Sequence, residues 1–391
     1  MVDGGAPAMT RYRSLVTLLA VGAGLAVAGL YYNQPMLGTL ADSLGASPGR
    51  IGFIPVATQL GYAAGIVLFA PLGDKLDRRK VIVVKAALLA VALVLAGVAP
   101  GVLWLSAASL AVGLLATVAQ DLVPAAAAIA EPASRGKTVG TVMTGLLLGI
   151  LLSRVVSGVV TEYLSWRVVF FGAAGVMAVF AATAARVLPS FPPTVRGSYA
   201  ALLGSMAALV RDVAPLRRAA MTQGLLSVAF SGFWSTLALG LAAPPFGLSS
   251  VVAGSFGIAG AAGAVAAPIA GGLSDRRGPR VVIRFGAAVT VAAFVAMALF
   301  GRSLVVLVAG TIVFDLGVQS CLIAHQTIVY AEDPAARSRL NAVLVSAMFL
   351  GMSGGAFAAS RVFVAFGFPG VCAMGAMAAG GAFALRMVPE R

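Results

Sequence analysis

The chain has 391 residues, 60% of them hydrophobic and only 10% charged, with a mean hydropathy of +1.00. Soluble domains carry about 25% charge, so a soluble globule of this composition would lack a polar skin. One histidine and two cysteines, Cys321 and Cys372, exclude a zinc cluster or a disulfide framework. No glycine loop opens a helix after a strand, which excludes the usual ATP site.

Residues 1–13 are polar and basic and read as a disordered cytoplasmic lead. The uncharged run from Ser14 to Ala41 exceeds the apolar core of a cleaved signal, about 7–15 residues. It reads as a membrane span, for which about 20 apolar residues suffice. Twelve such runs are expected, near 14–41, 51–73, 81–99, 102–130, 138–161, 166–187, 217–242, 249–274, 281–300, 304–330, 340–363 and 367–387. Turn chemistry separates them at Gly45 to Pro48, Pro100-Gly101, Pro244-Pro245, Gly301 and Gly367 to Pro369. The expected division is a lead at 1–13, one bundle at 14–187, a linker at 188–216 and a second bundle at 217–391. Tyr199 to Val210 mixes Ala, Leu and Met, the pattern of a short helix on the inner membrane face, or else of a plain tether.

With the N-terminus inside, most of the 27 basic residues fall on cytoplasmic segments. These include Lys75, Arg78, Arg79, Lys80 and Lys85, then Arg135 and Lys137, and later Arg276, Arg277 and Arg280. Arg50, Arg167, Arg302 and Arg361 remain outside, and Arg154 lies within a span. The pattern predicts a multi-pass protein of the inner (plasma) membrane with both termini cytoplasmic. It accounts for the net charge of +14 without nucleic acid.

A basic turn, Pro71-Leu72-Gly73-Asp74-Lys75-Leu76-Asp77-Arg78-Arg79-Lys80, returns half a chain later as Gly271-Gly272-Leu273-Ser274-Asp275-Arg276-Arg277-Gly278-Pro279-Arg280. The first copy has Asp77 where the second has Gly278, so the second turn should be the tighter. Both copies resemble the loop signature of the major facilitator superfamily. The resemblance implies an all-α membrane protein with twelve transmembrane helices in two pseudo-symmetric six-helix bundles. The substrate would sit between the bundles, lined by the first, fourth, seventh and tenth helices. The loop would act as a cytoplasmic latch, giving Asp74, Arg78, Arg79, Asp275, Arg276 and Arg280 a conformational role. The fifth run, with Gly140, Gly145, Gly149 and Gly158, resembles the glycine-rich helix of drug–proton antiporters, although Ser153-Arg154 stand near the place of that family's Gly-Pro. The family is usually monomeric.

Charge inside a span costs at least about 2.5–3.5 kcal/mol at the bilayer centre, so its bearers are candidates. Asp121, Arg154 and Asp315 lie well inside runs, and His325 near the end of one. Asp121 and Arg154 read either as a static lock between neighbouring helices or as a proton switch. Asp315 is a second proton site, a ligand for a cationic substrate, or a hydrogen-bonded packing residue. His325 is a proton relay or a packing residue. Tyr31, Tyr32, Asn33 and Gln34 precede the kinking Pro35, and Phe230, Phe233 and Trp234 occupy nearly the matching place in the seventh run. With Gln59, Tyr62, Gln120 and Gln319 they form the candidate cavity wall for an amphipathic organic substrate, or else the aromatic rings are packing residues with interfacial tyrosines. No nucleophile stands beside a base, so the chain does not read as an enzyme. The expected function is proton-coupled efflux of a drug, sugar or metabolite, with no cofactor and the proton gradient as energy source. The alternatives are a proton-coupled nutrient importer and a non-transporting membrane sensor.

Overall fold

A computed structural model describes residues 5–131, 134–193, 198–260, 270, 272–274, 276–333 and 336–388, with the side chains of 5–11, 70 and 74 excepted. Asp275 and the Asp74 side chain, both expected in the latch, lie outside the described residues. The described chain is helical, with no strand. Its helices are α1 (Gly5–Ala28), α2 (Leu37–Ser43), α3 (Pro48–Ile51), α4 (Phe53–Lys75), α5 (Arg78–Gly97), α6 (Val102–Ala116), α7 (Val118–Ile129) and α8 (Arg135–Tyr163). They continue as α9 (Trp166–Val187), α10 (Tyr199–Asp212), α11 (Ala214–Ala242), α12 (Ser250–Gly260), α13 (Pro279–Phe300), α14 (Leu304–Glu332) and α15 (Arg337–Met387).

Nine helices among the described residues are long and apolar enough to cross a membrane. The longest, α15, has 51 residues and breaks at Gly367, φ 66° and ψ −168°. Its packing shows that the chain reverses there. Before the break, Gly351 meets Gly224 and Gly355 meets Val228, so the limb runs parallel to α11. After it, Phe368 meets Gly240 and Met374 meets Gly232, and Leu385 accepts from Arg218, so the second limb runs back. α15 is thus two spans joined by a left-handed glycine turn.

Two expectations change. The expected disordered lead is helical from Gly5, and the Tyr12 hydroxyl is tied to Thr138 of α8 at 2.5 Å. The first run is interrupted over residues 29–36, around Pro35. There the backbone bonds shorten to three-residue steps, Tyr31 to Ala28 and Gln34 to Tyr31. The unwound segment aims Tyr31 and Gln34 inward.

Burial is sorted by face rather than by depth. Along α5, Ile82, Ala86, Leu89 and Leu93 are buried, while Val84, Leu88, Val91 and Leu95 are exposed. An exposed stripe of valine and leucine is stable against lipid, not water. Small residues bring helices together inside each bundle. A Cβ on Gly149 would stand 2.2 Å from the Gly24 carbonyl oxygen, and one on Gly351 would stand 2.2 Å from that of Gly224. The same contact therefore recurs in both halves.

The two basic turns differ as their residues require. Gly278 has φ +83°, a conformation that penalises a side chain. Asp77, at φ −60°, instead caps α5 by accepting from the Arg79 N–H at 2.9 Å.

Candidate functional site

α9 ends and α11 begins beside α10, which defines a linker end of the molecule. At the opposite end the two bundles meet along two seams. In one, a Cβ on Gly158 would lie 2.6 Å from the Ser250 carbonyl oxygen, and one on Gly254 would lie 2.6 Å from that of Arg154. α8 and α12 thus touch backbone to backbone. Glu162 of α8 reinforces this seam by accepting from the Ser250 N–H at 3.2 Å and its hydroxyl at 2.7 Å, which satisfies the start of α12 from the other bundle. In the second seam, Gly52 abuts Ser360, Phe53 packs edge-on against Phe357, and Ser353 donates to the Val56 carbonyl.

Beneath these seams lies Arg154. Its Nε donates to Gln34 Oε1 at 3.0 Å. Its guanidinium stands 4.6 Å from the Tyr31 ring centre and 4.1 Å from that of Trp234. Tyr31 belongs to the first bundle and Trp234 to the second, so one cation is held between faces from both halves. Such desolvated contacts are worth about 2 kcal/mol each. Asp315, from α14, is buried and lies within electrostatic reach of Arg154 and beside Trp234. The gap among Gln34, Pro35, Arg154, Trp234, Leu237, Ala238 and Ala253 is closed in this conformation, with no room for a water molecule. A larger groove of about 700 Å³ lies between α5 and α9, but Val83, Ala87, Ala90, Phe171 and their neighbours make it apolar throughout. It offers nothing to orient a polar solute.

The suggested pairing of Asp121 with Arg154 is not formed. Asp121 Oδ2 lies 2.6 Å from Lys85 Nζ, and both side chains are buried in the first bundle. Asp121 also crowds the basic turn: a Cβ on Gly73 would stand 2.7 Å from its Oδ1 and 3.5 Å from Arg78 Nε. By its segment Lys85 reads as one of the anchoring charges. Its place on the buried face of α5, in register with Ile82 and Leu89, is the signal that marks it as internal.

The remaining candidates scatter. Gln59 accepts from Ser231 at 3.0 Å and so joins the halves. Tyr62 accepts from Gln120 at 2.9 Å, and its ring lies 4.4 Å from Phe349 of the other bundle. Asn33 donates to Thr58 within its own half, and Tyr32 is buried. Phe230 sits against Trp234 and Phe314. Phe233 does not line the gap, because it is enclosed by Phe294, Phe314 and Phe368 in the core of the second bundle. Gln319 is half-buried. His325 is fully buried inside the second bundle, 3.0 Å from Gln223, and not at the gap.

At the linker end, Arg79 donates to the Ala185 carbonyl, and the Arg78 N–H donates to that of Phe191. Arg276 and Arg280 are exposed. Arg78 and Arg79 thus hold their own bundle to the linker segment. Asp77 completes this hold, accepting from the Ser190 hydroxyl at 2.7 Å and the Phe191 N–H at 3.0 Å. Partial desolvation opposes ionisation, but these bonds and the Arg79 N–H outweigh it and hold the Asp77 carboxyl below the usual range.

Comparison with known proteins agrees with this architecture. Residues 19–359 match the model of the Major Facilitator Superfamily. The chain is 39% identical over 363 residues to "Uncharacterized transporter YgaY" of Escherichia coli O157:H7, covering 93% of this chain and 92% of that one. It is 33% identical over 377 residues to "Probable transporter SCO4007" of Streptomyces coelicolor, covering 95% and 86%. The crystal structure of a nucleoside transporter, NupG, superposes with a TM-score of 0.76 over 95% of this chain and 98% of that one, at 16% identity, a likeness of fold alone.

Proposed function

The chain belongs to the major facilitator superfamily, and we propose that it is a proton-coupled secondary transporter carrying a small organic solute by alternating access. As a member it is a multi-pass membrane protein built to bind small molecules within the membrane. The proposal places binding and coupling around Arg154 and Asp315, with the linker end in the cytoplasm by the distribution of lysine and arginine.

Asp315 carries this reading. It is buried, its Oδ1 has no hydrogen-bond partner, and no ion pair within 4 Å holds it among the described residues, yet it faces Arg154 from the other bundle. A nearby arginine favours the ionised form of such a carboxyl against the cost of burial, and withdrawing the arginine or engaging it elsewhere favours the protonated form. The two residues ride on different bundles, so rocking changes their separation and moves a proton with it. Efflux in exchange for protons requires solute and proton to alternate at Asp315. Import together with a proton is the second reading. The hydrogen-bond donors around Arg154 favour it, because a solute on the arginine leaves Asp315 free to be protonated at the same time.

The test is purified protein in proteoliposomes under an imposed pH gradient, screened against drugs, sugars and organic acids with an entrapped pH dye. Solute-dependent proton movement is expected, and Asp315→Asn abolishes it while solute binding persists. Proton movement unchanged in Asp315→Asn removes Asp315 from the mechanism.

A further inference from the structure

We infer that the gap beside Arg154, closed in this conformation, opens as the bundles part and binds the carboxylate group of a small, largely apolar organic anion. This deepens the transport reading above and rests on it for movement, although binding is measurable without flux. Three donors border the gap and none closes a full hydrogen bond: Arg154 Nη2, Gln34 Nε2 and Trp234 Nε1, the last turned toward the Asp315 carboxylate. All three residues are at least nine-tenths buried, with relative exposures of 3%, 2% and 2%. A buried donor without an acceptor is costly and rare in a native fold. Three around one gap mark the place of a missing acceptor.

The geometry excludes a simple rearrangement of the site. Arg154 Nε–H donates to Gln34 Oε1, which fixes the amide with its NH2 group turned elsewhere. Trp234 turns its indole N–H toward Asp315, while those of the other two tryptophans donate to the Leu95 carbonyl and the Ser43 hydroxyl at 2.8 and 3.0 Å. The Asp315 carboxylate lies nearby, and its Oδ1 is also unpartnered. A planar carboxylate can take two of the donors at once from a guanidinium and a neighbouring amide or indole. The rest of the wall, Pro35, Leu237, Ala238 and Ala253, is apolar and asks for a hydrocarbon body.

Asp315 then has a defined part. The ionisable groups facing it are Arg154 of α8 and Tyr31 of the turn after α1, while α11 presents Trp234, and α12 presents Gly260, whose Cβ position is 3.7 Å from Oδ2. The solute carboxylate and the Asp315 carboxylate compete for one cation. The anion therefore binds best when Asp315 carries a proton, and the two travel in the same direction.

The experiment measures tryptophan fluorescence and thermal unfolding of the full chain in detergent with acetate, butyrate and benzoate. Benzamide and benzylamine serve as neutral and cationic isosteres of benzoate, and inorganic phosphate as a second anion. Benzoate should bind, with its amide and amine at least about tenfold weaker. Arg154→Lys, which keeps the charge and loses the fork, should weaken benzoate about tenfold or more. Trp234→Phe, which keeps the ring and loses the N–H, should weaken it by about three- to tenfold, and it keeps the test open if the arginine variant fails to fold. Asp315→Asn should tighten benzoate and flatten the pH dependence of its binding. Equal binding of benzamide or benzylamine, indifference to both Arg154→Lys and Trp234→Phe, tighter binding of phosphate, or no binding of any carboxylate overturns the inference. Benzoate bound but never moved in proteoliposomes removes the transport reading and leaves the site. Proton-coupled flux of a neutral or cationic solute without benzoate binding does the reverse.

Discussion

Lys85 Nζ lies 2.6 Å from Asp121 Oδ2, and both side chains are enclosed by the first bundle. Removing one member of a buried pair strands the other, at a cost of about 3–5 kcal/mol, whereas replacing both with apolar residues is often neutral. Asp121→Asn and Lys85→Met should each lower the unfolding temperature in detergent markedly. Lys85→Met with Asp121→Leu should recover most of that loss. We propose that the pair is an internal brace, so solute-driven proton movement should survive in the double variant. Its disappearance there would return Asp121 to the coupling mechanism.

The backbone contact of α8 with α12 leaves no space for a methyl group at Gly254. Gly254→Ala should wedge the far ends apart and lower transport at least about tenfold while leaving each bundle folded. Maleimide labelling of a cysteine placed at Ala253, which is buried, should rise in that background. The native Cys321 and Cys372 are buried and should stay unlabelled. Glu162→Ala should act in the same direction more weakly, because it removes hydrogen bonds to Ser250 without adding bulk.

Asp77 supplies a pH dependence at the linker end. Its folded-state value is depressed, so the stability it adds is fully present above the ordinary carboxylate pKa and is lost as pH falls through the lower folded value. Asp77→Asn should be less stable than the parent at neutral pH, and the gap should close as the medium is acidified into that window. Tryptic cleavage at Arg186 in Asp77→Ala should be faster at pH 7.5, since the turn no longer holds Ser190 and Phe191.

His325 is enclosed by the second bundle beside Gln223, far from the gap. His325→Asn should leave the pH profile of transport in place and cost about 1–3 kcal/mol of stability through the unpaired glutamine. A shifted profile would restore it as a relay.

The broad architecture was legible because lipid imposes it. Long uncharged runs, basic turns and a repeat at half length follow from bilayer thickness and from duplication, and each leaves a mark in composition. The site was legible only in part. Arg154 and Asp315 announced themselves as charges within spans, and Pro35 announced the unwound turn that presents Tyr31 and Gln34. Their partners did not. Which way a helix faces decides whether Asp121 meets Arg154 or Lys85, and in helices apolar on nearly every side the sequence holds little phase information. Phe233 shows the same limit: one residue before Trp234, it is turned about 100° away, into the core of its own bundle.

The linker helix α10 is fastened at both ends to different partners. Tyr199 near its start donates to the Leu68 carbonyl of α4, while Leu209 near its finish and Val213 just beyond pack with Leu216, Ala219, Val329 and Leu340 of the second bundle. Its 14 residues make a rod of about 20 Å. A rod cannot stretch as a coil does, so it fixes the span between its two anchorages. The mouth on that side can widen only by swinging around this strut or by tearing one fastening loose. The stroke of the machine is thus set by a part that never meets its cargo.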